Sequence, residues 1–426
     1  MNTGMVMDMT GPLGISMNRM GSGTSWVPDA VSEPTAEFQA GSWDLMVHGL
    51  IDAQYDQQGG PRGASQLGSL SWGMLMATHG LAGGQLQLRA MLSVDAAGVT
   101  NHGYPLLLQS GETWHGQPLF DRQHPHDFFM EVAALHDREI ARNLGLELYL
   151  APAGEPALGP VAYMHRMSAM DDPAAPIGHH WQDASHVSFG VATVGLFTRR
   201  WKVEGSVFNG HDPDENRWNF DFHPLDSYSG RATFNPDSAW SVSASFGFLR
   251  DPETANPAHT THRTVVSLQN GRMLGSEAQL STSLIWGMVT HSDQHTPSQS
   301  VLAESEWGID ARNAVFGRAE FVQKTADDLV LPEGPTGFPP TRLFPVGDLS
   351  LGYVRELVTV HRATIGLGVM GTVNVVPAVL VPFYGSRTPL GAIVYLRLRA
   401  IRAAVNPMGA MEGMTDGACL SCGPRN

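Results

Sequence analysis

Several segments of the chain alternate apolar and polar residues, which is the pattern of a β-strand with one apolar face. In residues 240–248 the even positions are apolar and the odd positions are serine or glycine. Residues 85–95 and 277–288 show the same alternation. A helical period of 3.6 residues fits none of these segments. The pattern therefore predicts strands that separate an apolar environment from a polar one.

Strands predicted in this way are joined by connections that alternate between short and long. This wiring is typical of up-and-down barrels of the bacterial outer membrane, which have tight periplasmic turns and long outer loops. The sequence therefore predicts an all-β fold, an antiparallel up-and-down transmembrane β-barrel of about 16 strands, with about 14 to 18 allowed. The predicted strands are residues 44–56, 66–79, 83–95, 127–137, 143–152, 185–197, 200–209, 226–234, 239–249, 262–270, 275–288, 300–310, 313–323, 346–356, 363–373 and 389–400.

The strand pattern divides the chain into a barrel at residues 44–400 and two tails. The Met-rich N-terminal tail, 1–43, is expected to be partly disordered, and its part from 20 to 42 is long enough to enter the lumen as a plug. The C-terminal tail, 401–426, carries further methionines and both cysteines. Both chain ends are predicted on the periplasmic side. The longer connections are residues 96–126, 153–184, 210–225 and 324–345.

The composition agrees with a barrel and excludes two other classes of protein. Charged residues make up 16% of the chain, against about a quarter in soluble domains. The chain has no uninterrupted apolar run of about 18 residues, so no transmembrane helix is expected. The net charge of −15 and the lack of a basic stripe exclude nucleic acid as a partner. The expected partner is outer-membrane lipid.

Tryptophans near the predicted short turns give an independent indication of a membrane. Trp43, Trp201, Trp240 and Trp307 lie close to the short-connection ends of their strands, and tryptophan prefers the membrane interface. The alternative is that they are core residues of a soluble β-sandwich. Residues 1–20 lack the basic start and apolar core of a signal peptide. Either the chain is a mature or truncated form, or the protein is not exported. Because a barrel of this kind has no use in the cytoplasm, we expect a mature or truncated form of an exported protein, located in the bacterial outer membrane.

Sulfur ligands are concentrated in the two tails. Thioether and thiolate groups are soft ligands that favour soft ions, above all Cu(I). These tails are therefore candidates for binding copper. Methionine runs also occur in low-complexity tails, however, and the Cys-x-x-Cys pair can close as a disulfide. The candidate metal ligands are Met5, Met7, Met9, Met408, Met411, Met414, Cys419 and Cys422.

Histidines and acidic residues are concentrated together in the predicted long connections, at the outer mouth of the barrel. Neutral imidazole and carboxylate suit borderline divalent ions such as Zn²⁺ and Cu²⁺. A loop can bring these groups together only by folding into the lumen. The alternative is that the histidines form structural hydrogen bonds that lock the loops. The candidates are His124, His126, Asp127, His165, His179, His180, Asp183, His211 and Asp212.

Charged residues of both signs fall on the polar faces of the predicted strands. Facing one another across the lumen, they would either line a hydrated pore or form ion pairs that stiffen the wall. A barrel of about 16 strands is wide enough for an aqueous channel unless it is plugged. The lumen candidates are His48, Asp52, Arg89, Glu131, Glu147, Glu204, Arg231, Glu277, Glu304, Glu306, Arg318 and Glu320.

Two motifs combine histidine with acidic residues, Asp-Arg-Gln-His-Pro-His-Asp at 121–127 and His-His-Trp-Gln-Asp at 179–183. They resemble motifs of a largely uncharacterised family of bacterial outer-membrane-like proteins associated with copper and heavy-metal efflux systems. The resemblance implies a barrel but assigns no catalytic residue. In architecture the chain is also similar to copper-resistance outer-membrane B proteins, although its N-terminal run lacks dense Met/His repeats. Further resembling segments are residues 23–29, 59–63, 111–113 and 152–167.

The leading hypothesis is an outer-membrane channel or metal-handling barrel linked to copper or other heavy-metal export or resistance. Copper, or zinc, is then the expected bound metal, and periplasmic efflux components are the expected protein partners. The alternative is a general or organic-solute porin whose histidines are structural. A third hypothesis is a metal-dependent outer-membrane hydrolase. The chain contains no Gly-x-Ser-x-Gly elbow and no phosphate-binding loop, so we expect no enzyme.

Overall fold

The computed structural model describes residues 10–250, 252, 260–292, 296–360 and 363–400. Sixteen of its strands form one closed antiparallel barrel, because each pairs with the next and the last pairs with the first. This confirms the predicted fold. The strands are β1 (Ala36–Ala40), β2 (Trp43–Gln58), β3 (Ser65–Leu81), β4 (Gly84–Ser93), β5 (Tyr104–Trp114), β6 (Gln117–Gln123), β7 (Phe129–Ala141), β8 (Leu144–Ala153), β9 (Val191–Phe197), β10 (Trp201–Phe208), β11 (Ser227–Phe234), β12 (Trp240–Arg250), β13 (Thr260–Met273), β14 (Gln279–His291), β15 (Ser298–Gly308), β16 (Asn313–Thr325), β17 (Leu343–Val360), β18 (Ala363–Val375) and β19 (Leu390–Ala400).

The barrel wall consists of β2–β4 and β7–β19. Strand β1 pairs only with the start of β2, while β5 and β6 form a separate hairpin. Among the described residues, no helix is long and apolar enough to cross a bilayer. The helices are α1 (Asp95–Gly98), α2 (His179–Gln182) and α3 (Val381–Tyr384), with 3₁₀ turns at Pro12–Gly14, Met17–Arg19, Tyr163–His165, Ala184–His186 and Ala378–Leu380.

The connections alternate along the barrel as the sequence predicts. One end, the short-turn rim, carries connections such as 82–83, 142–143 and 309–312. The other end, the long-loop rim, carries longer ones such as 94–128 and 154–190. Strand β2 begins and β19 ends at the short-turn rim, so the two ends of the barrel wall meet there.

The two faces of the wall differ in chemistry. In β12, Val242 and Phe246 are exposed on the outside, whereas Ser241, Ser243 and Ser245 are buried. The same alternation of exposed and buried residues runs through the other strands of the wall. An apolar outer face is what a strand needs where lipid replaces water. At the short-turn rim, Trp201 and Trp307 lie exposed on the outer face, where a membrane-interface belt would place them.

The lumen is occupied by two segments of the chain itself. The N-terminal segment, residues 10–35, receives hydrogen bonds from the wall: Arg89 donates to the Gly23 carbonyl at 2.6 Å, and Lys202 donates to the Thr24 carbonyl. The second segment is the connection 154–190, called here the lumen loop. Most of the polar wall side chains are therefore buried against protein.

The structure departs from the predicted elements in three places. The connection predicted at 96–126 contains the hairpin β5–β6, whose residues are too extensively buried to show an alternating pattern. The strand predicted at 185–197 begins only at Val191, because the preceding residues belong to the lumen loop. Glu277 does not face the lumen: it is exposed in the turn between β13 and β14. Strand β14 starts at Gln279, four residues later than predicted.

Candidate metal centre in the lumen

Buried ion pairs anchor the lumen loop to the barrel wall. Arg166 of the lumen loop donates to Glu304 of β15 and to Asp183 of the same loop, each at 2.6 Å. Its side chain is fully buried. Arg318 of β16 also binds Glu304, at 3.1 Å, and lies 3.3 Å from Asp172. A buried charge is stable only when paired in this way, so these contacts fix where the loop lies.

A second set of wall charges holds the middle of the lumen loop. Arg397 and Arg399 of β19 bind the Asp171 carboxylate at 2.7 and 2.6 Å. Glu320 accepts hydrogen bonds from the backbone N–H groups of Ile177 and Gly178, at 3.0 and 2.9 Å. Of the two roles predicted for the lumen charges, these contacts correspond to interior pairing rather than to a hydrated pore.

The anchored loop brings three imidazoles together. Helix α2 begins with His179 and His180, and His124 follows the end of β6. One ligand nitrogen from each ring lies within 4.8 Å of the other two. The ring centroids of His124 are 6.4 Å from His179 and 5.9 Å from His180. We call this group the histidine centre.

Carboxylates lie beside two of the three rings. Asp183 Oδ1 lies 2.5 Å from Nδ1 of His179 and forms a hydrogen bond with it. Glu112 Oε1 lies 3.1 Å from Nδ1 of His124, at ion-pair distance, whereas the hydrogen-bond partner of that nitrogen is the Pro125 carbonyl oxygen, at 3.1 Å. The Nε2 atoms of His124 and His180 are buried and have no hydrogen-bond partner among the described residues. A carboxylate on one imidazole nitrogen with the other nitrogen left free is the arrangement that metal-ligating histidines use.

The protonation of the centre also suits metal binding. Burial, followed by the positive charge of Arg217, lowers the pKa of His124 well below its ordinary value. Burial and the neighbouring His179 lower the pKa of His180 in the same direction. Burial alone would raise the pKa of Asp183, but the charges of His179 and Arg166 outweigh it and hold that pKa below its usual range. Neutral imidazole, the form that these shifts favour for His124 and His180, is the form that ligates a metal ion.

Two further histidines extend the cluster inward. His186 lies 5.0 Å from His179 between ring centroids, and its Nδ1 contacts the Asp183 carbonyl oxygen at 2.8 Å. His126 lies 5.5 Å from His186 and is held by Asp95, whose Oδ2 is 2.8 Å from Nδ1. The Nε2 atom of His186 is also buried without a hydrogen-bond partner. The histidine centre thus belongs to a larger imidazole cluster.

A vestibule on the long-loop rim reaches the histidine centre. This cavity, of about 110 Å³, is lined by His180 and by exposed residues such as Pro118. Acidic residues dominate its charge, although Arg217 pairs with Glu112 and with Asp127. Such a volume holds several water molecules or a hydrated ion. The acidic residues that line it are Glu112, Asp212, Glu215, Asp327 and Asp328.

The remaining mouth candidates are not part of the histidine centre. Asp127 forms an ion pair with Arg217 at 3.2 Å. His211 stacks on His223 at 4.4 Å, and Asp212 lines the vestibule. His165 joins a separate group with His48 and Glu33. The candidates in the tails lie outside the described residues: Met5, Met7, Met9, Met408, Met411, Met414, Cys419 and Cys422.

Apart from Glu277, the lumen candidates are buried. Lys202 lies 3.1 Å from Glu147 and 3.5 Å from Glu204, and Arg231 binds Glu204 at 2.9 Å. Tyr149 donates to Glu131 at 2.8 Å. The other contacts are Asp52 opposite Arg397 in the β2–β19 register, Arg89 with Glu131 at 3.5 Å, and Glu306 with the Asp171 N–H at 2.9 Å.

Sequence reasoning missed two members of these clusters. His186 falls within the strand wrongly extended to residue 185, although the clean alternation begins only at Val191. Glu33 lies in the predicted plug and is not among the predicted ligands, because a single glutamate in an irregular segment has no distinguishing pattern. Only the folded path of the N-terminal segment brings it to His48 and His165.

No family model matches this chain, and no curated protein sequence does. Solved structures of outer-membrane proteins match it in fold. A loop L8 deletion mutant of OmpT, an outer membrane protein of Vibrio cholerae, has a TM-score of 0.50 and 8% identity, with 84% of this chain and 99% of that one covered. Salmonella typhi OmpF in complex with daunomycin has a TM-score of 0.49 and 9% identity, covering 85% and 100%. An anion-selective porin from Comamonas acidovorans has a TM-score of 0.44 and 12% identity, covering 84% and 99%.

The OmpT match supports the fold and is too distant in sequence to support more. The closed barrel of β2–β4 and β7–β19 and its apolar outer face agree with it. A closed barrel is one of the two structures that can satisfy every backbone polar group inside a bilayer. The chain therefore has the fold of bacterial outer-membrane β-barrels, and its predicted location in that membrane is confirmed.

Proposed function

We propose that this protein is a metal-handling barrel of the outer membrane whose histidine centre binds a borderline divalent cation, Cu²⁺ or Zn²⁺. The observation that carries the proposal is the convergence of His124, His179 and His180 within 4.8 Å. Imidazole nitrogen suits both ions. The Asp183 carboxylate orients His179 and the Pro125 carbonyl orients His124, while His124 and His180 present buried Nε2 atoms without a hydrogen-bond partner among the described residues.

The vestibule supports the same proposal. Its acidic lining raises the local concentration of cations, and His180 belongs both to this lining and to the histidine centre. A cation from outside would therefore meet carboxylates first and imidazoles next. The link to copper itself rests on the sequence resemblance and on the sulfur-rich tails, and both remain predictions.

The general-porin alternative is less well supported. A porin needs a water-filled passage through the barrel. In the described part of this chain, wall charges such as Arg318 and Arg397 are paired with the lumen loop. The interior thus provides ligands and ion pairs where a porin would provide open water.

Metal titration of the full chain in detergent tests the proposal. Cys419→Ser and Cys422→Ser are introduced into every variant so that thiolates do not contribute. We expect Zn²⁺ binding in equilibrium dialysis, and a loss of affinity of at least about tenfold when His179 and His180 are replaced by asparagine. The control is His79→Asn, which changes an imidazole that stacks on Trp43 and belongs to neither group of clustered ligands. Unchanged Zn²⁺ and Cu²⁺ binding in the double variant would refute the proposal.

Replacing Asp183 with asparagine is expected to weaken Zn²⁺ binding by about 10–100-fold, because a neutral amide holds the His179 ring less firmly than a carboxylate. The matched control is Asp237→Asn, at an exposed position on the short-turn rim. Affinities are compared by calorimetric titration, and a urea titration separates lost binding from lost folding. Wild-type affinity in the Asp183 variant would mean that the carboxylate serves only the ion pair with Arg166.

A further inference from the structure

We infer a second metal site in the half of the lumen nearer the short-turn rim, formed by Glu33, His48 and His165 and suited to a soft monovalent cation, Cu⁺ or Ag⁺. Their ligand atoms lie within 4.8 Å of one another. This site shares no residue with the histidine centre, so it does not depend on the function proposed above.

Three separate parts of the chain build the site. Glu33 comes from the N-terminal segment, His48 from β2 and His165 from the lumen loop. Glu33 Oε1 lies 3.1 Å from Nδ1 of His165. Glu33 Oε2 lies 2.5 Å from Nδ1 of His48, at ion-pair distance but without hydrogen-bond geometry. One carboxylate thus faces two buried imidazoles.

The second nitrogen of each ring points away from the carboxylate and is poorly satisfied. Nε2 of His48 is buried and has no hydrogen-bond partner among the described residues. Nε2 of His165 faces the thioether sulfur of Met91 at 3.4 Å. A buried polar atom without a strong partner costs free energy, and coordination of a cation by imidazole and thioether would offset that cost.

The adjoining cavity explains why the cation should be soft and monovalent. It measures about 60 Å³, and Glu33 is the single acidic residue among the described residues that line it. One carboxylate balances one positive charge, whereas a divalent ion would leave a net charge in a poorly solvated site. Thioethers select Cu(I), and the same softness extends to Ag⁺. The methionines of the lining are Met17, Met20, Met46, Met76 and Met167.

The two sites lie at different depths in the barrel. The cavity is lined by Met46, close to the start of β2, and by Met76, close to the end of β3, both of which are at the short-turn rim. The histidine centre opens toward the long-loop rim instead. Between them, a smaller cavity is lined by His186 and His165 with the methionines Met91, Met130 and Met164. Nitrogen and sulfur donors therefore continue from one site to the other.

The alternative is that Glu33, His48 and His165 form a purely structural hydrogen-bonded group. Ag⁺ distinguishes the two possibilities because it is soft, monovalent and does not change oxidation state under the assay conditions. The full chain, with Cys419 and Cys422 replaced by serine, is labelled with ¹³C at its methionine methyl groups. The Met91 signal is assigned by Met91→Leu, a substitution that keeps the volume of the side chain.

We expect Ag⁺ to shift the Met91 methyl signal and Zn²⁺ to leave it in place. Met91→Leu and His165→Asn should each weaken the binding of Ag⁺ at this site by about tenfold or more. Because the Met91→Leu variant has no Met91 signal, its binding is followed by the methyl signals of the methionines that line the cavity. Met370→Leu, at a buried methionine of β18 outside the cavity, should change nothing. An unmoved Met91 signal with Ag⁺, or a shift with Zn²⁺ alone, would overturn the inference.

The same spectra separate this inference from the proposed function. In the variant with His179 and His180 replaced by asparagine, the Ag⁺ shift at Met91 should persist, because the two sites share no ligand. Conversely, His165→Asn should leave Zn²⁺ binding at the histidine centre within about twofold of wild type. Loss of the Ag⁺ shift in the His179/His180 variant would show that the second site is not independent and would contradict the inference as stated.

Discussion

Replacing Arg166 with methionine is expected to lower the free energy of unfolding by about 3–5 kcal/mol, because it leaves buried carboxylates with too little positive charge. Arg166 is fully buried and binds both Asp183 and Glu304 at 2.6 Å. Methionine fills a similar space without a charge. The same change should raise the ion conductance of the protein in planar bilayers, because it removes a contact between the lumen loop and the wall.

Urea titration in detergent micelles measures the first effect, and single-channel recording measures the second. Arg250→Met is the matched control: Arg250 lies 3.7 Å from Asp226 and is 56% exposed, so about 0–1 kcal/mol is expected. Adding Glu304→Gln to the Arg166 variant should restore part of the stability by removing one of the surplus negative charges. If stability falls while conductance stays at the wild-type level, the loop remains inserted without Arg166.

Replacing Leu349 with arginine is expected to destabilise the protein by about 2–4 kcal/mol in lipid vesicles, the cost of an arginine at the bilayer midplane. Leu349 is 57% exposed on the outer face of β17. It lies opposite Ala319, midway along β16. The free energy of unfolding is measured for the wild type and the variant by equilibrium unfolding in vesicles of the same lipid composition.

Leu357→Arg provides the matched control because it changes the same residue type on the same strand. Leu357 is 50% exposed, close to the end of β17 at the short-turn rim. Near the membrane interface the cost of arginine should fall to about 0–1 kcal/mol. Equal costs at the two positions would show that the wall does not lie in the bilayer as described.

The barrel was predictable because the apolar environment acts on every second residue of a strand. In β12 and β14 the alternation survives in the sequence, and β12 falls within one residue of its predicted bounds. The sequence of the hairpin β5–β6 does not show this alternation. Leu106, Leu107 and Leu108 are all buried, on both faces of β5, so the run shows no period of two. Periodicity reports a strand only where its two faces meet different surroundings.

The ligand types could be predicted from the sequence, whereas their grouping could not. His124, His179 and His180 stand in distinctive motifs beside acidic residues, and these motifs identified them. Their convergence depends on where Arg166 and Asp171 anchor the lumen loop, which involves strands far away in sequence. The same holds for Glu33, whose two partners come from β2 and the lumen loop. Long-range contacts of this kind leave no local pattern.

The lumen loop is joined covalently to β8 at one end and to β9 at the other. A separate plug that left the barrel would dilute into the surrounding solution, but this loop cannot. When displaced, it stays near its binding surface at an effective concentration of about millimolar. Reclosure is therefore an intramolecular event whose rate does not depend on protein concentration. The barrel would therefore return to its filled state unaided whenever the loop is displaced.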